Sequence, residues 1–143
     1  MPLEILHRAA PCHNVPVTFT LDMRGQPSFP FYAPTEQRPL AATERRIVER
    51  LLEGASEQRR SEAKHLMVVG RCGCGKCPTI FFEAHEEGDR ESDVVSYAGR
   101  DAYGGLVGAV LLQKNGRLSQ LEFFSIDGHD PWGVPGADTL EPY

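Results

Sequence analysis

The chain has 143 residues, a length typical of one domain, and it can bury roughly two-thirds of its unfolded surface without a disulfide or a metal to hold it together. The formal net charge is −5, and between residues 44 and 62 arginines alternate with glutamates, which argues against a basic track for nucleic acid. The first residues show no basic stretch followed by a long apolar run, so we expect no signal peptide, no membrane span and a cytoplasmic protein.

The N-terminal part is expected to be extended because prolines recur from position 27 to position 39. Phe29, Phe31 and Tyr32 make this stretch too apolar for a free linker. We therefore expect a single domain over residues 1–143, in which residues 1–39 form a proline-rich segment packed on the body and residues 40–143 form a helix followed by strands.

One principal helix is predicted after this segment. Thr43 is a suitable N-cap, and Gly54 is a natural end. The apolar stripe at helical spacing consists of Ile47, Val48, Leu51 and Leu52. A second helical stretch from Ser56 to about His65 is too polar to be central to the core.

The rest of the chain predicts a β-meander, which makes the fold class α+β: an antiparallel sheet of about five strands with the helix packed on one face. Asn115-Gly116 is the clearest turn, because both residues tolerate the positive φ angles of a two-residue hairpin loop. The strands are expected near residues 66–71, 78–84, 93–99, 104–113 and 117–126.

The register of the last hairpin follows from this turn if Lys114 pairs with Arg117. The face that we predict as the core then carries Leu106, Gly108, Val110 and Leu112 opposite Ser125, Phe123, Leu121 and Ser119, with Gly108 leaving room for the ring of Phe123. The second face is more apolar than a solvated face usually is. We expect the proline-rich segment, a partner protein or a second copy of the chain to cover it, through Val107, Leu111, Leu118 and Phe124.

Three thiols lie within six residues, at Cys72, Cys74 and Cys77, between two predicted strands. Side chains alternate along a strand, so Cys72 and Cys74 point to the same side, and a turn through Gly75 can bring Cys77 back to them. Cytosolic thiols are normally reduced, and two of the three form the C-x-x-C spacing common in zinc sites. The loop therefore predicts a zinc site with Cys72, Cys74 and Cys77 as ligands.

Zinc prefers four ligands, and the sequence does not identify the fourth. His65 and His85 each lie beyond a strand of about six residues, hence roughly 20 Å away, which excludes them. The remaining candidates are Cys12 and His13, which have the better chemistry, His129, or a water molecule.

Two other interpretations of the loop also stay open. The thiols can be reduced cysteines in a tight glycine-rich turn with no ligand, or Cys74 and Cys77 can form the dithiol of a redox enzyme. A thioredoxin-like arrangement requires a helix after the cysteines, whereas the residues from Pro78 to Phe82 predict a strand.

The C-x-C-x-x-C spacing of Cys72, Cys74 and Cys77 is similar to the zinc motif of glutathione-dependent formaldehyde-activating enzymes, although that family carries further cysteines that this chain lacks. From about Arg38 to Leu140 the chain resembles small uncharacterised bacterial proteins. These have a short helix, a Gly/Cys-rich loop ending in Pro-Thr, and a closing strand similar to residues 116–128. This resemblance implies a domain of unknown function and supplies no catalytic residues.

Two polar loops are weaker candidates. The acidic loop from His85 to Asp93 matches no calcium-binding spacing and is typical of a solvated turn. The loop from Asp127 to Gly133 contains the only tryptophan, Trp132, which either anchors a partner or folds over the end of the sheet.

The sequence favours a non-enzymatic binding or interaction module with a structural zinc in the cysteine loop and no membrane or nucleic-acid partner. Its rivals are a metal-free partner-binding protein, immunity- or antitoxin-like, and a thiol-redox enzyme that uses Cys74 and Cys77. No nucleophile, histidine and acid signature is apparent, so we predict no catalytic residues.

Overall fold

The computed structural model describes residues 20–21, 27–28 and 32–143 of the chain. Within them it contains two α-helices, α1 (Ala42–Leu51) and α2 (Glu57–Ala63), and a 3-10 helix at Ala137–Thr139. The strands are β1 (Thr20–Leu21), β2 (Pro27–Ser28), β3 (Ala33–Pro39), β4 (Met67–Arg71), β5 (Ile80–Phe81), β6 (Ser92–Arg100), β7 (Leu106–Lys114), β8 (Arg117–Ser125) and β9 (Glu141–Pro142). The fold is α+β, as predicted.

The main sheet is antiparallel and has seven strands in the order β3-β4-β5-β8-β7-β6-β9, while β1 and β2 form a separate two-stranded sheet. The predicted antiparallel sheet is confirmed, but it has seven strands instead of about five and is not a simple meander. Strands β6, β7 and β8 do follow one another as a meander, but β8 lies between β7 and β5, so the chain crosses from β5 to the far side of the hairpin before β6 begins. The two extra strands are β3, which pairs with β4, and β9, which pairs with β6.

The segment between β5 and β6 makes this crossing and is held by polar contacts. Glu91 accepts hydrogen bonds from Ser119 Oγ at 2.9 Å and Gln120 Nε2 at 3.0 Å, both on β8, and pairs with His85 Nδ1 at 2.8 Å. Lys114 Nζ donates to the carbonyl of Ala84 at 2.7 Å. The acidic loop, predicted as a simple turn, thus anchors the crossing.

Helix α1 packs its predicted apolar stripe on the sheet, and Ile47, Val48, Leu51 and Leu52 are 1–2 % exposed. The predicted cap was wrong: the N-cap is Ala41, whose main-chain N–H donates to Glu44 Oε1 at 2.7 Å. Arg38 also pairs with that carboxylate, so Glu44 takes the place of a capping side chain.

Helix α2 begins at the N-cap Ser56, whose hydroxyl accepts a bond from the main-chain N–H of Arg59. Arg59 donates to the carbonyl of Gly116, and Glu62 accepts the N–H of Leu118 at 2.7 Å. The second helical stretch is therefore a helix that fixes the end of the β7–β8 hairpin.

The β7–β8 hairpin turns at Asn115 and Gly116, which have φ values of 54° and 78°, and Lys114 pairs with Arg117 as predicted. A bulge at Ser119 then shifts the register by one residue, so Leu112 faces Gln120 instead of Ser119. Such a shift exchanges the two faces of β8 relative to those of β7 beyond Ser119.

The predicted core face is right for Leu121 and Phe123 on β8 but wrong for β7, because the bulge pairs these two residues with Leu111 and Ala109 instead of Val110 and Gly108. The face under the helices carries Val107, Ala109, Leu111, Leu118, Leu121 and Phe123, which belong to the core and are at most 2 % exposed. Three residues of the proposed partner-binding face, Val107, Leu111 and Leu118, are thus covered by the body of the domain. Gly108 makes room for Phe124, not for Phe123.

None of the helices in the described residues is long and apolar enough to cross a membrane.

Candidate metal centre

The cysteine loop connects β4 to β5, which pair antiparallel through Gly70 with Phe81 and Arg71 with Ile80. One further bond, from the N–H of Cys72 to the carbonyl of Thr79 at 3.2 Å, continues this ladder into the loop. Thr79 Oγ1 accepts the N–H of Phe123 on β8 at 3.0 Å. Both ends of the loop are therefore fixed to the sheet, which limits how the thiols between them can be arranged.

A tight turn brings the third thiol back to the first two. The N–H of Gly75 donates to the carbonyl of Cys72 at 3.2 Å, and Gly75 has a φ of 76°, which favours glycine. The main-chain N–H groups of Cys77 and Lys76 then point at Cys74 Sγ, at 3.2 and 3.5 Å. The turn therefore holds the sulfur of Cys74 in place with two main-chain donors.

The predicted convergence of the three thiols is confirmed: the Sγ atoms of Cys72, Cys74 and Cys77 all lie within 4.8 Å of one another. The sulfurs of Cys74 and Cys77 are 3.2 Å apart. Sulfurs bound at about 2.3 Å to a tetrahedral zinc lie roughly 3.8 Å from each other, so small side-chain rotations suffice to place three of them around one ion. No disulfide joins any pair of these cysteines.

The thiols are buried although they lie in a loop: Cys72 is 3 % exposed, and Cys74 and Cys77 are each 8 % exposed. Trp132 packs against these three residues and also against the main core. Trp132 thus folds over its own domain, as one of the two interpretations from the sequence predicts.

The loop that carries Trp132 is tied to the hairpin between β6 and β7 by two carboxylates. Asp127 accepts the N–H groups of Leu106 and His129, each at 3.0 Å, and these bonds hold the pKa of the Asp127 carboxyl below its ordinary value. Asp101 accepts the N–H of Gly133 at 2.8 Å through Oδ2.

Asp101 also organises its own hairpin. Its Oδ1 accepts the N–H groups of Tyr103 at 3.0 Å and Gly105 at 2.8 Å, and the residue is only 8 % exposed. Asp101 is not among the residues predicted from the sequence. An aspartate shortly before two glycines is a typical turn signal, but its bond to Gly133 depends on the tertiary fold.

The structure places the other candidate ligands as follows. Cys12 and His13 lie outside the described residues. His129 does not join the group of three thiols. It packs against Gly105 so closely that a Cβ atom on residue 105 would lie 3.0 Å from the Cβ of His129. His85 pairs with Glu91 on the crossing segment. Within the described residues, the candidate centre therefore consists of three thiols.

The charged neighbours in sequence are Arg71 and Lys76, both exposed. Three thiolates around a divalent ion carry a net negative charge, which nearby cations reduce. In comparisons with protein families, with curated proteins and with solved structures, the chain matches none.

Proposed function

We propose that this protein is a non-enzymatic binding or interaction module in which Cys72, Cys74 and Cys77 hold a structural zinc ion. The observation that carries the proposal is the group of three buried sulfurs within 4.8 Å of one another. Thiolates are soft ligands that select zinc or copper(I) over magnesium or calcium, and tetrahedral zinc accepts the spacing of these sulfurs.

A structural role fits the surroundings better than a catalytic one. Catalytic zinc sites keep one position open to water and substrate, whereas here the three thiols are at most 8 % exposed and Trp132 packs against them. A bound ion would fix the β4–β5 loop, which is joined to β8 through Thr79 and Phe123. Zinc would therefore stabilise the middle of the sheet.

The fourth ligand in this proposal is Cys12 or His13, which the chemistry of zinc favours over an oxygen ligand. A fourth thiol or an imidazole is the donor that most often joins three cysteines around structural zinc. Replacing each in turn by Ser or Ala identifies which of them binds, because loss of a ligand weakens zinc binding and loss of a bystander does not.

A thiol-redox enzyme is the second candidate, and the 3.2 Å contact between Cys74 and Cys77 favours it. In such a reaction the Cys74 thiolate attacks a substrate disulfide and releases one thiol. The Cys77 thiolate then attacks Cys74, which releases the second thiol and leaves a Cys74–Cys77 disulfide, so two electrons pass to the substrate. Burial of both residues opposes access by a large substrate.

A metal-free partner-binding protein, immunity- or antitoxin-like, is the remaining rival. With Val107, Leu111 and Leu118 in the core, its surface would be the exposed side of the loop from Asp127 to Gly133. Trp132 packs against the thiols, and this contact supports the zinc proposal more than it supports a metal-free partner-binding protein.

Metal analysis of untagged full-length protein, prepared under reducing conditions, separates the three. The zinc proposal expects about one zinc ion per chain, lost when Cys72, Cys74 and Cys77 are replaced by Ser. Retention of zinc by the triple variant would reject the site. Absence of metal from wild type would reject zinc, and reduction of a test disulfide that stops in the Cys74→Ser variant would then support the enzyme.

A further inference from the structure

Trp132, in the loop of residues 127–133, packs against the thiols, and a single hydrogen bond to Asp101 holds the residue that follows it. This bond ties the end of the loop and runs from the N–H of Gly133, next in sequence to Trp132, to Asp101 Oδ2. Trp132 in turn touches both the thiols and the main core. This hydrogen bond therefore helps to fix the position of the Trp132 indole.

We propose that residues 127–133 form a cover that controls access to the thiols, and that Asp101 is the positioning residue that keeps this cover closed over Cys72, Cys74 and Cys77. The proposal rests on the proposed function where it concerns zinc. Where it concerns access of reagents to the thiols, it holds with or without a metal.

The two carboxylate oxygens of Asp101 accept hydrogen bonds from different parts of the chain. Oδ1 takes the N–H groups of Tyr103 and Gly105 within its own hairpin, and Oδ2 takes the N–H of Gly133 in the cover. An asparagine has nearly the same shape but replaces one oxygen by an NH2 group, which donates and does not accept. In Asp101→Asn, the oxygen keeps the hairpin bonds and the NH2 group faces the N–H of Gly133.

The other end of the cover has an independent attachment. Asp127 accepts the N–H of Leu106 at 3.0 Å, and His129 lies against Gly105. Loss of the Asp101 bond should therefore loosen the end that carries Trp132 while Asp127 still holds the loop to the start of β7. The expected result is a hinged opening near the thiols and not unfolding of the sheet.

The test measures alkylation of the full-length protein, as purified, by iodoacetamide, with mass spectrometry of the peptide that contains residues 72–77. Each thiol that reacts forms a carbon–sulfur bond and releases iodide. We expect slow reaction in wild type and about tenfold to hundredfold faster reaction in Asp101→Asn, since a bond to a charged acceptor contributes about 1.5–3 kcal/mol.

Three further variants serve as matched controls. Trp132→Ala should accelerate alkylation, and Trp132→Phe, which keeps an aromatic ring over the thiols, should restore a rate near that of wild type. Tyr103→Ala should not change the rate, because Tyr103 is 57 % exposed in the same hairpin and only its main-chain N–H bonds to Asp101.

Fluorescence provides a second readout, because Trp132 is the only tryptophan of the chain. Opening of the cover should shift its emission to longer wavelength in Asp101→Asn while the circular dichroism spectrum stays that of wild type. If the protein carries zinc, transfer of the ion to a chromogenic chelator should accelerate in the same order as alkylation.

Wild-type alkylation rates in both Asp101→Asn and Trp132→Ala would overturn the proposal, as would equal acceleration by Tyr103→Ala. If only the zinc proposal fails, wild type contains no metal, but alkylation is still faster in Asp101→Asn and Trp132→Ala than in wild type.

Discussion

The main-chain N–H of Cys77 donates to the sulfur of Cys74 at 3.2 Å, and the two sulfurs are also 3.2 Å apart. This relationship exists because Gly75, between them, turns the chain with a φ of 76°. The candidate metal centre thus depends on the backbone of a residue that offers no ligand.

Gly75→Ala should weaken the centre although the methyl group has open space around it. The substitution should raise the conformational free energy of the turn by about 1 kcal/mol, because alanine rarely adopts positive φ angles. Gly75→Asn is the matched control, since asparagine tolerates this conformation. Zinc affinity measured against a competing chelator should fall roughly fivefold in the alanine variant and less in the asparagine variant. Equal affinities in all three proteins would show that the turn does not organise the thiols.

Gly108→Ala tests the bulged register of β7 and β8. A methyl group at this position would overlap the ring of Phe124, so the free energy of unfolding should fall by about 1–3 kcal/mol. In a protein that already carries Phe124→Ala, Gly108→Ala should lower the free energy of unfolding much less. Denaturant unfolding of wild type, the two single variants and the double variant measures this coupling. If Phe123→Ala instead of Phe124→Ala removes the penalty, the register without the bulge is correct.

Glu91 should make the stability of the crossing segment depend on pH. Burial alone raises the pKa of its carboxyl, but hydrogen bonds from His85, Ser119 and Gln120 outweigh burial and hold the pKa below its ordinary value. The ionised form therefore stabilises the fold above the ordinary glutamate pKa of about 4.3, and this contribution is lost as the pH falls through the lower pKa of the folded state.

Glu91→Gln is expected to lower the free energy of unfolding by about 1–2 kcal/mol at pH 7, with a difference from wild type that shrinks as the pH falls below about 4. Denaturant titrations over this range give the difference at each pH. Glu87→Gln is the control, because Glu87 is exposed on the same loop. A difference that stays constant down to acid pH would mean that the charge of Glu91 does not stabilise the crossing.

Removal of zinc should destabilise wild type but not a protein without the site. If the ion binds only the folded chain, its binding free energy adds to the free energy of unfolding, so a strong chelator should lower the thermal midpoint by several degrees or more. The variant with Ser at positions 72, 74 and 77 should unfold at the same temperature with and without chelator. An equal effect of chelator on both proteins would place any bound metal elsewhere.

Local chemistry in the sequence predicts much of this fold. Asn115-Gly116 predicts the hairpin turn because few other residues adopt positive φ angles, and the Ile47, Val48 and Leu51 stripe predicts the buried face of α1. The close spacing of the cysteines likewise predicts their convergence, since the geometry of a short loop is largely determined by the chain itself.

The errors concern long-range relationships. Both faces of β7 are apolar, so alternation along that strand does not set the register, and the bulge at Ser119 is invisible in the sequence. The position of β8 beside β5, and the bond between Asp101 and Gly133, join residues that lie far apart in the chain. Such contacts are decided by packing of the whole domain and not by propensity.

X-ray absorption spectroscopy at the zinc edge can show whether the three thiols bind zinc, because it reports which atoms surround the metal in full-length protein. We expect a shell of at least three sulfur atoms at about 2.3 Å, with fewer sulfur atoms when Cys72, Cys74 or Cys77 is replaced by Ser. A shell of nitrogen and oxygen atoms alone, or protein that takes up no zinc when its thiols are reduced, would contradict it.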